Sequence, residues 1–285
     1  MSGYLAGVLA ILCINLIFAY GIYVTAAAGQ INLGGAGFQA IGAYAAGWLA
    51  GQAGMPIAVS IVAAALIAAF IGFLISFPVL RTRGVYMVLA TFAFGEVIAG
   101  YLLHSEFFGG AMGMVVPLHV ELWVLIVSAL IVTAATFYLM ATRLGLAMRA
   151  INDDEDASIV MGVNVRAVQV AAFTIGGAFT GLSGALYALN FGFVEAQYFN
   201  ALLSIYILLY VLIGGTQTAW GPLAGTVFFT MLPELFRVGG SARYLIFGVL
   251  IVVMMALRPE GIVTHALVRR LSPRRLFAAG GARGN

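Results

Sequence analysis

Apolar residues fall in long unbroken blocks along this chain, and polar residues gather in the intervals between them. The first block, Tyr4 to Ala27, is long enough to cross the roughly 30 Å hydrocarbon layer of a membrane as one helix. It stops at Gly29-Gln30-Ile31-Asn32-Leu33-Gly34-Gly35. Glycines and amides there predict either a break at membrane depth or a plain interfacial turn. In the first case Gln30 and Asn32 line a cavity, because irregular backbone inside a bilayer must be covered by protein or water. The next block, GAGFQAIGAYAAGWLAG, is rich in small residues that let helix backbones approach, and predicts a helix buried among others. Further blocks follow from Pro56 to Leu80, Gly84 to Leu103, Leu122 to Ala141 and Val168 to Leu189. Two shorter ones, Leu202 to Ile213 and Leu223 to Leu232, flank GGTQTAWGP and are too short to cross squarely. They predict tilted, extended or broken helices, with Gly214, Gly215, Gly221 and Pro222 supplying the break. Tyr244 to Leu257 predicts a last span. The fold class expected is an all-α transmembrane helix bundle of about eight to ten spans, some broken or re-entrant. It occupies residues 1–263 and is followed by a basic, poorly ordered tail at 264–285.

One polar interval is long. From Arg143 to Arg166 the chain reads RLGLAMRAINDDEDASIVMGVNVR. Asp153 or Asp154 can cap a helix start, and Glu155 and Asp156 place negative charge on its first turn, where the helix dipole favours it. Ala157, Val160 and Met161 then form an apolar face, and Gly162 can take the left-handed stop with Val163 folding back. One or two turns of helix are not stable alone in water, so the face must pack, either on its own bundle or in a partner protein.

Composition sharpens the class. Of 285 residues 63% are hydrophobic and 8% charged, where soluble domains have roughly 45–50% and about 25%. No charge precedes Arg81, and the first residues lack the basic region of a signal peptide, so the first block is expected to remain as a transmembrane helix. All 13 basic residues are arginine. Without lysine the chain can hold neither a Walker A nucleotide site nor a Schiff base. The net charge of +3 comes largely from the tail after Arg258, which in a membrane protein is an orientation signal before it is a nucleic-acid site. Arg81 and Arg83, the 143–166 interval and the C-terminus are expected on the cytoplasmic side. The Arg-free loop from His104 to His119 and the connection holding Glu195 belong outside. Arg237 and Arg243 then fall outside, against the usual bias, unless the two short stretches do not cross. The N-terminus lies outside if all three early blocks cross, and inside if one is re-entrant.

Candidate chemistry is sparse. Glu96 lies within the fourth block, where a charge costs about 2.5–3.5 kcal/mol. It should face the bundle interior, either lining a pathway or linking two helices. Gly181-Leu182-Ser183-Gly184 matches the GxSG pattern of intramembrane serine proteases. No base accompanies it, since His104 and His119 lie in a loop and His265 beyond the last block. Three scattered histidines and the single Cys13 give no metal-ligand spacing and no internal disulfide. Gly34 to Gly47 and Gly176 to Gly192 echo one another weakly, each with clustered Gly and Ala before a tyrosine, Tyr44 and Tyr187.

These residues resemble a known family. GQINLGGAGFQAIGAY, RTRGVYMVLATFAFGE, AINDDEDASIVMGVNVRAVQVAAFTIGGAFTGLSGALYA, LIGGTQTAWGPLAGT and LRPEGI together are similar to the LivM-type permease of branched-chain amino acid ABC importers, over nearly the whole chain. The resemblance implies a permease in the bacterial inner membrane, not an enzyme. It also implies a second permease subunit of the LivH type, two ATPase subunits that bind ATP and Mg, and an extracytoplasmic solute-binding protein. This chain would bind no cofactor, metal or nucleic acid, and its other contact is membrane lipid. The coupling helix falls on Asp153 to Gly162, with Asp153, Asp154, Glu155, Ala157, Val160, Met161 and Gly162 as ATPase-coupling residues. Two departures stand out: Asn152 where the family often has a basic residue, and Ala157-Ser158 in place of Ala-Ala. Gln30, Asn32 and Glu96 are the expected pathway residues. Relatives with this pattern carry urea, short amides or other amino acids. The competing class is an autonomous secondary transporter using Glu96 or Glu195 for proton coupling.

Overall fold

The computed structural model describes residues 3–235 and the single residue Gly248. The expected last span, Arg237, Arg243 and the basic tail therefore lie outside the described residues. Within them the chain is all-α. Five helices are long and apolar enough to cross a membrane: α1 (Gly3–Ala27), α3 (Ile57–Val79), α4 (Val85–His104), α5 (Leu122–Ala141) and α8 (Val165–Phe191). Shorter helices complete the bundle: α2 (Gly35–Gly51), α6 (Arg143–Asp153), α7 (Glu155–Val160), α9 (Ala201–Gly214) and α10 (Trp220–Leu235).

α1, α2 and α8 form the centre. α1 is apolar all round, so neighbours rather than amphipathicity decide its burial. From Ala10 through Ala28 nearly every side chain is covered. α8 reaches α1, α2 and α3 by giving up side chains. A Cβ on Gly184 would sit 1.9 Å from the Gln39 carbonyl oxygen of α2, and one on Gly181 would sit 2.2 Å from the Ala68 Cβ of α3. Gly176 meets the Gly21 carbonyl of α1 in the same way. The GxSG stretch is therefore a packing surface: Ser183 is fully buried, and its hydroxyl donates to the Thr180 carbonyl at 2.7 Å. The two members of the sequence echo are the helices α2 and α8, which pack directly on each other through Gly42 and Gly181. α3, α4 and α5 bury one narrow face each and turn Leu66, Phe70, Val97, Leu130 and Tyr138 outward. Such an apolar exterior suits lipid, not water.

The faces of the bundle follow from neighbours. Gly29, just after α1, lies against Asn152 at the end of α6, whereas Ile11 and Asn15 line a groove with Tyr187 and Phe191 at the end of α8. The ends of α1, α3 and α5 therefore share one face with α6 and α7, called here the loop face. α4 and α8 start there. On the opposite face Met114–Val115 pairs antiparallel with Phe193–Val194, tying the α4–α5 connection to the end of α8.

α9 and α10 form an antiparallel hairpin. Gly214 seats on Gly221, Tyr210 stacks on Phe229 at 5.2 Å, and the Tyr20 hydroxyl of α1 donates to the Ala219 carbonyl at 3.3 Å. The helices are short, as expected, but the break is Gly215 to Ala219. Gly221 and Pro222 belong to the first turn of α10, where a proline has no helical hydrogen bond to lose. The polar interval contains two helices rather than one. Thr142 caps α6 by accepting from the Gly145 N–H, and Gly145, Met148 and Ile151 face inward.

Candidate functional site

The α1–α2 break lies inside the bundle. Its backbone turns at Gly29, with φ +75°, after Ala28 and Gln30 donate to the Thr25 carbonyl. Asn32 Oδ1 accepts the Gly34 N–H at 2.8 Å, the Leu33 N–H donates to Thr91 Oγ1 at 3.1 Å, and the Ala36 N–H donates to Ser204 Oγ at 2.7 Å. Thr91 is six residues into α4, about 9 Å along its axis. Side chains of α4 and α9 thus satisfy backbone groups that a regular helix would have paired. Side chains of the bundle cover the break from Leu33 onward, while Gly29 at its start lies on the loop face against Asn152.

The three expected pathway residues separate. Asn32 is buried and spends its carbonyl on the break. Gln30 is 1% exposed, yet neither Oε1 nor Nε2 has a hydrogen-bond partner among the described residues. An orphaned buried polar group costs about 1–3 kcal/mol, so it marks a place built for something other than stability. Glu96 corrects an expectation: it is exposed on this chain rather than turned into its bundle. Gly95 takes the inward face of α4, against Gly37 of α2, and one residue further the helix has turned by about 100°. Glu96 Oε1 instead accepts the Ala201 N–H at 3.1 Å, at the start of α9, where Asn200 caps by accepting from the Leu203 N–H. A carboxylate at a helix N-terminus is favoured by the dipole, and it links α4 to α9. Asn32 and Glu96 therefore serve the same junction of break, α4 and α9. Gln30 instead borders a cleft on the loop face.

Sequence reasoning missed part of this region. Gln39 Oε1, Tyr44 Oη and Trp48 Nε1, all on α2, are buried without partners among the described residues. Their signal was present as amide and aromatic polar groups in a helix whose other residues are all apolar.

On the loop face Asp154 caps α7, its Oδ1 accepting the Ala157 N–H at 2.9 Å, while Asp153 ends α6. Glu155 and Asp156 occupy the first turn, and Glu155 meets Arg83 at 3.6 Å. That ion pair is exposed and contributes about 0–1 kcal/mol. Gly162 has φ +81°, and the Val163 N–H donates to the Ser158 carbonyl at 3.0 Å, closing the helix. Only Ser158 of α7 is buried. Ala157 is exposed, and Val160 and Met161 are 88% and 84% exposed. The apolar face does not rest on its own bundle; Ser158 is the residue of α7 that faces inward.

The family pattern described as "Branched-chain amino acid transport system / permease component" matches residues 4–256. The chain belongs to that family. It is 30% identical over 276 residues to the high-affinity branched-chain amino acid transport system permease protein LivM of Escherichia coli (strain K12), and equally to the LivM protein of Salmonella typhimurium (strain LT2). Each match covers 84% of this chain and 65% of the relative, so the chain spans just under two thirds of the length of those proteins. No solved structure matches it.

Proposed function

We propose that this chain is the permease subunit of an ABC importer. It forms part of the inward path for branched-chain or other small amino acids, or for urea and short amides, through the bacterial inner membrane. It works with a LivH-type permease, two ATPase subunits that hold ATP and Mg, and an extracytoplasmic solute-binding protein. In this reading the loop face is cytoplasmic, the start of α1 is outside, and α2, the α9–α10 hairpin and the segment after it complete the eight to ten segments.

The observation that carries the proposal is α7. A capped six-residue helix with Ile159, Val160 and Met161 uncovered has no stability of its own to gain from that exposure. In a member of a transport-permease family it is the surface on which an ATPase subunit docks, so that closure around ATP moves α7 and, through α6, the ends of α5 and α1. Asp153, Asp154, Glu155, Ala157 and Gly162 shape the helix, and Val160 and Met161 fill the partner's groove. Val160→Asp in the assembled transporter abolishes substrate uptake while the chain stays in the membrane at normal amount; unchanged uptake would sink the proposal.

A second reading rests on Glu96, a carboxylate exposed partway along α4. A secondary transporter could use it for proton coupling. Vesicles containing this chain alone, given a proton gradient and no ATP, separate the two. Accumulation there would favour the second reading.

A further inference from the structure

On the loop face, the α1–α2 break, the α3–α4 turn, α7 and the first turns of α8 enclose a cleft of about 510 Å³. Arg81, Arg83 and Arg166 line it against one acid, Glu155, so three guanidinium groups and one carboxylate leave a local charge of +2. Arg83 pairs with Glu155 at 3.6 Å, whereas Arg81 and Arg166 make no ion pair among the described residues. Gln169 adds an uncharged polar side chain to the wall, and Gln30, whose two amide atoms are buried and unpartnered among the described residues, borders it. A planar guanidinium is built to hold an oxyanion with paired hydrogen bonds.

The position of the cleft selects the source of the oxyanion. Arg81 to Gly84 is the turn at which two membrane-length helices, α3 and α4, leave the apolar layer. Below that turn the same helices face outward with Phe70, Phe77 and Leu89. A cationic cleft at the polar boundary, above an apolar wall, matches a phospholipid with its phosphate in the cleft and its chains along the helices.

We propose that this cleft binds the phosphate of an anionic phospholipid headgroup, held by Arg81 and Arg166 with Arg83 shared between the headgroup and Glu155. Glu155 belongs to the first turn of α7, so phosphate and α7 compete for one guanidinium, and lipid occupancy and the setting of α7 are thermodynamically linked. The inference needs only that the chain spans a bilayer. It stands or falls separately from docking of an ATPase.

The test uses the purified full chain in detergent. Short-chain phosphatidylglycerol, phosphatidylcholine of the same chains and inorganic phosphate are titrated in turn, with binding read by native mass spectrometry and by the unfolding midpoint. Phosphatidylglycerol binds saturably and raises the midpoint, and the other two need at least tenfold higher concentration. Arg81→Gln combined with Arg166→Gln weakens phosphatidylglycerol at least tenfold, while Arg143→Gln, on α6 outside the cleft, leaves it unchanged. Glu155→Gln removes the competitor and tightens binding. This last variant keeps the test alive should the double variant fold poorly. Equal affinity for the two lipids, equal affinity in the wild type and the double variant, or no tightening in Glu155→Gln overturns the proposal. Inorganic phosphate binding as tightly as phosphatidylglycerol overturns the lipid as its source.

Discussion

The end of α7 and the middle of α8 both combine apolar residues with glycine, yet opposite constraints hold them. In α8, Gly181 and Gly184 exist because the Ala68 Cβ of α3 and the Gln39 carbonyl of α2 occupy the space where their side chains would be. In α7, a Cβ on Gly162 would meet nothing within 4 Å, and the residue is glycine because its φ is +81°. Val160 and Met161 beside it are almost wholly exposed. One region is fixed by what already touches it, the other by what has yet to arrive. Substitutions should separate accordingly: in α8 they strike the fold, and in α7 the function.

The largest effect belongs to Gly184→Val. A Cβ there collides with the Gln39 carbonyl, and helix backbone cannot move aside as a flexible side chain can. Overpacking costs typically about 1–3 kcal/mol and occasionally more, and a backbone neighbour puts this site at the upper end. The yield of monodisperse chain and its unfolding midpoint should both collapse. A variant that folds normally would mean that α2 and α8 are further apart than described, and the comparison would lose its first half. The Val160→Asp substitution supplies the other half. Exposed as it is, it should shift stability by no more than about 0.5 kcal/mol while uptake disappears.

How far the sequence foretold this depends on the kind of signal. The long helices were legible because about twenty apolar residues have few other options, and α7 was legible because Asp154, Glu155 and Gly162 are local signals for caps and dipole. α6 was missed. Its inward residues Gly145, Met148 and Ile151 make a narrow stripe in a polar stretch, and the contact of Gly145 with Met140 that anchors it depends on the tertiary fold. The hairpin break was displaced for a similar reason, since Gly221 and Pro222 read as breakers but sit where a first turn tolerates them. Glu96 shows the limit most plainly. Its cost in a membrane is a property of the residue, but the direction it faces is set by Gly95, whose missing side chain lets α2 come close and leaves Glu96 to the side. The orphaned polar atoms of Gln30, Gln39 and Tyr44 could not have been foreseen as orphans, because that depends on all their neighbours.

Glu96 lies between the two extremes, since it is exposed like α7 yet makes a contact like α8. Removing it and neutralising it should therefore differ. Glu96→Ala takes away the acceptor for the Ala201 N–H and should lower stability by about 1.5–3 kcal/mol, the range for a hydrogen bond to a charged group. Glu96→Gln keeps an acceptor oxygen but loses the charge, and should lower the unfolding midpoint less than Glu96→Ala does. Under the pathway reading, uptake still falls at least tenfold in Glu96→Gln, because the charge is what the passing solute meets. Full uptake in that variant would reduce Glu96 to a clasp between α4 and α9.

The smallest effect sharpens the account of α7. Asp154→Ala removes the oxygen that accepts the Ala157 N–H and one negative charge from the helix start, a loss of about 0.5–2 kcal/mol where a cap is removed. That cost falls on α7 alone, because its neighbours α6 and α8 keep their own caps, Thr142 and Asn164. The global unfolding midpoint should barely move, while hydrogen exchange of the Ala157 to Met161 amides quickens roughly tenfold, the change expected for about 1.4 kcal/mol. If coupling needs α7 already formed, uptake should drop by a similar factor, and Asp154→Asn, which still caps, should restore it. Were Asp154→Ala to speed exchange without touching uptake, α7 would be a helix that its partner folds on contact, and preformed shape would not be what couples it.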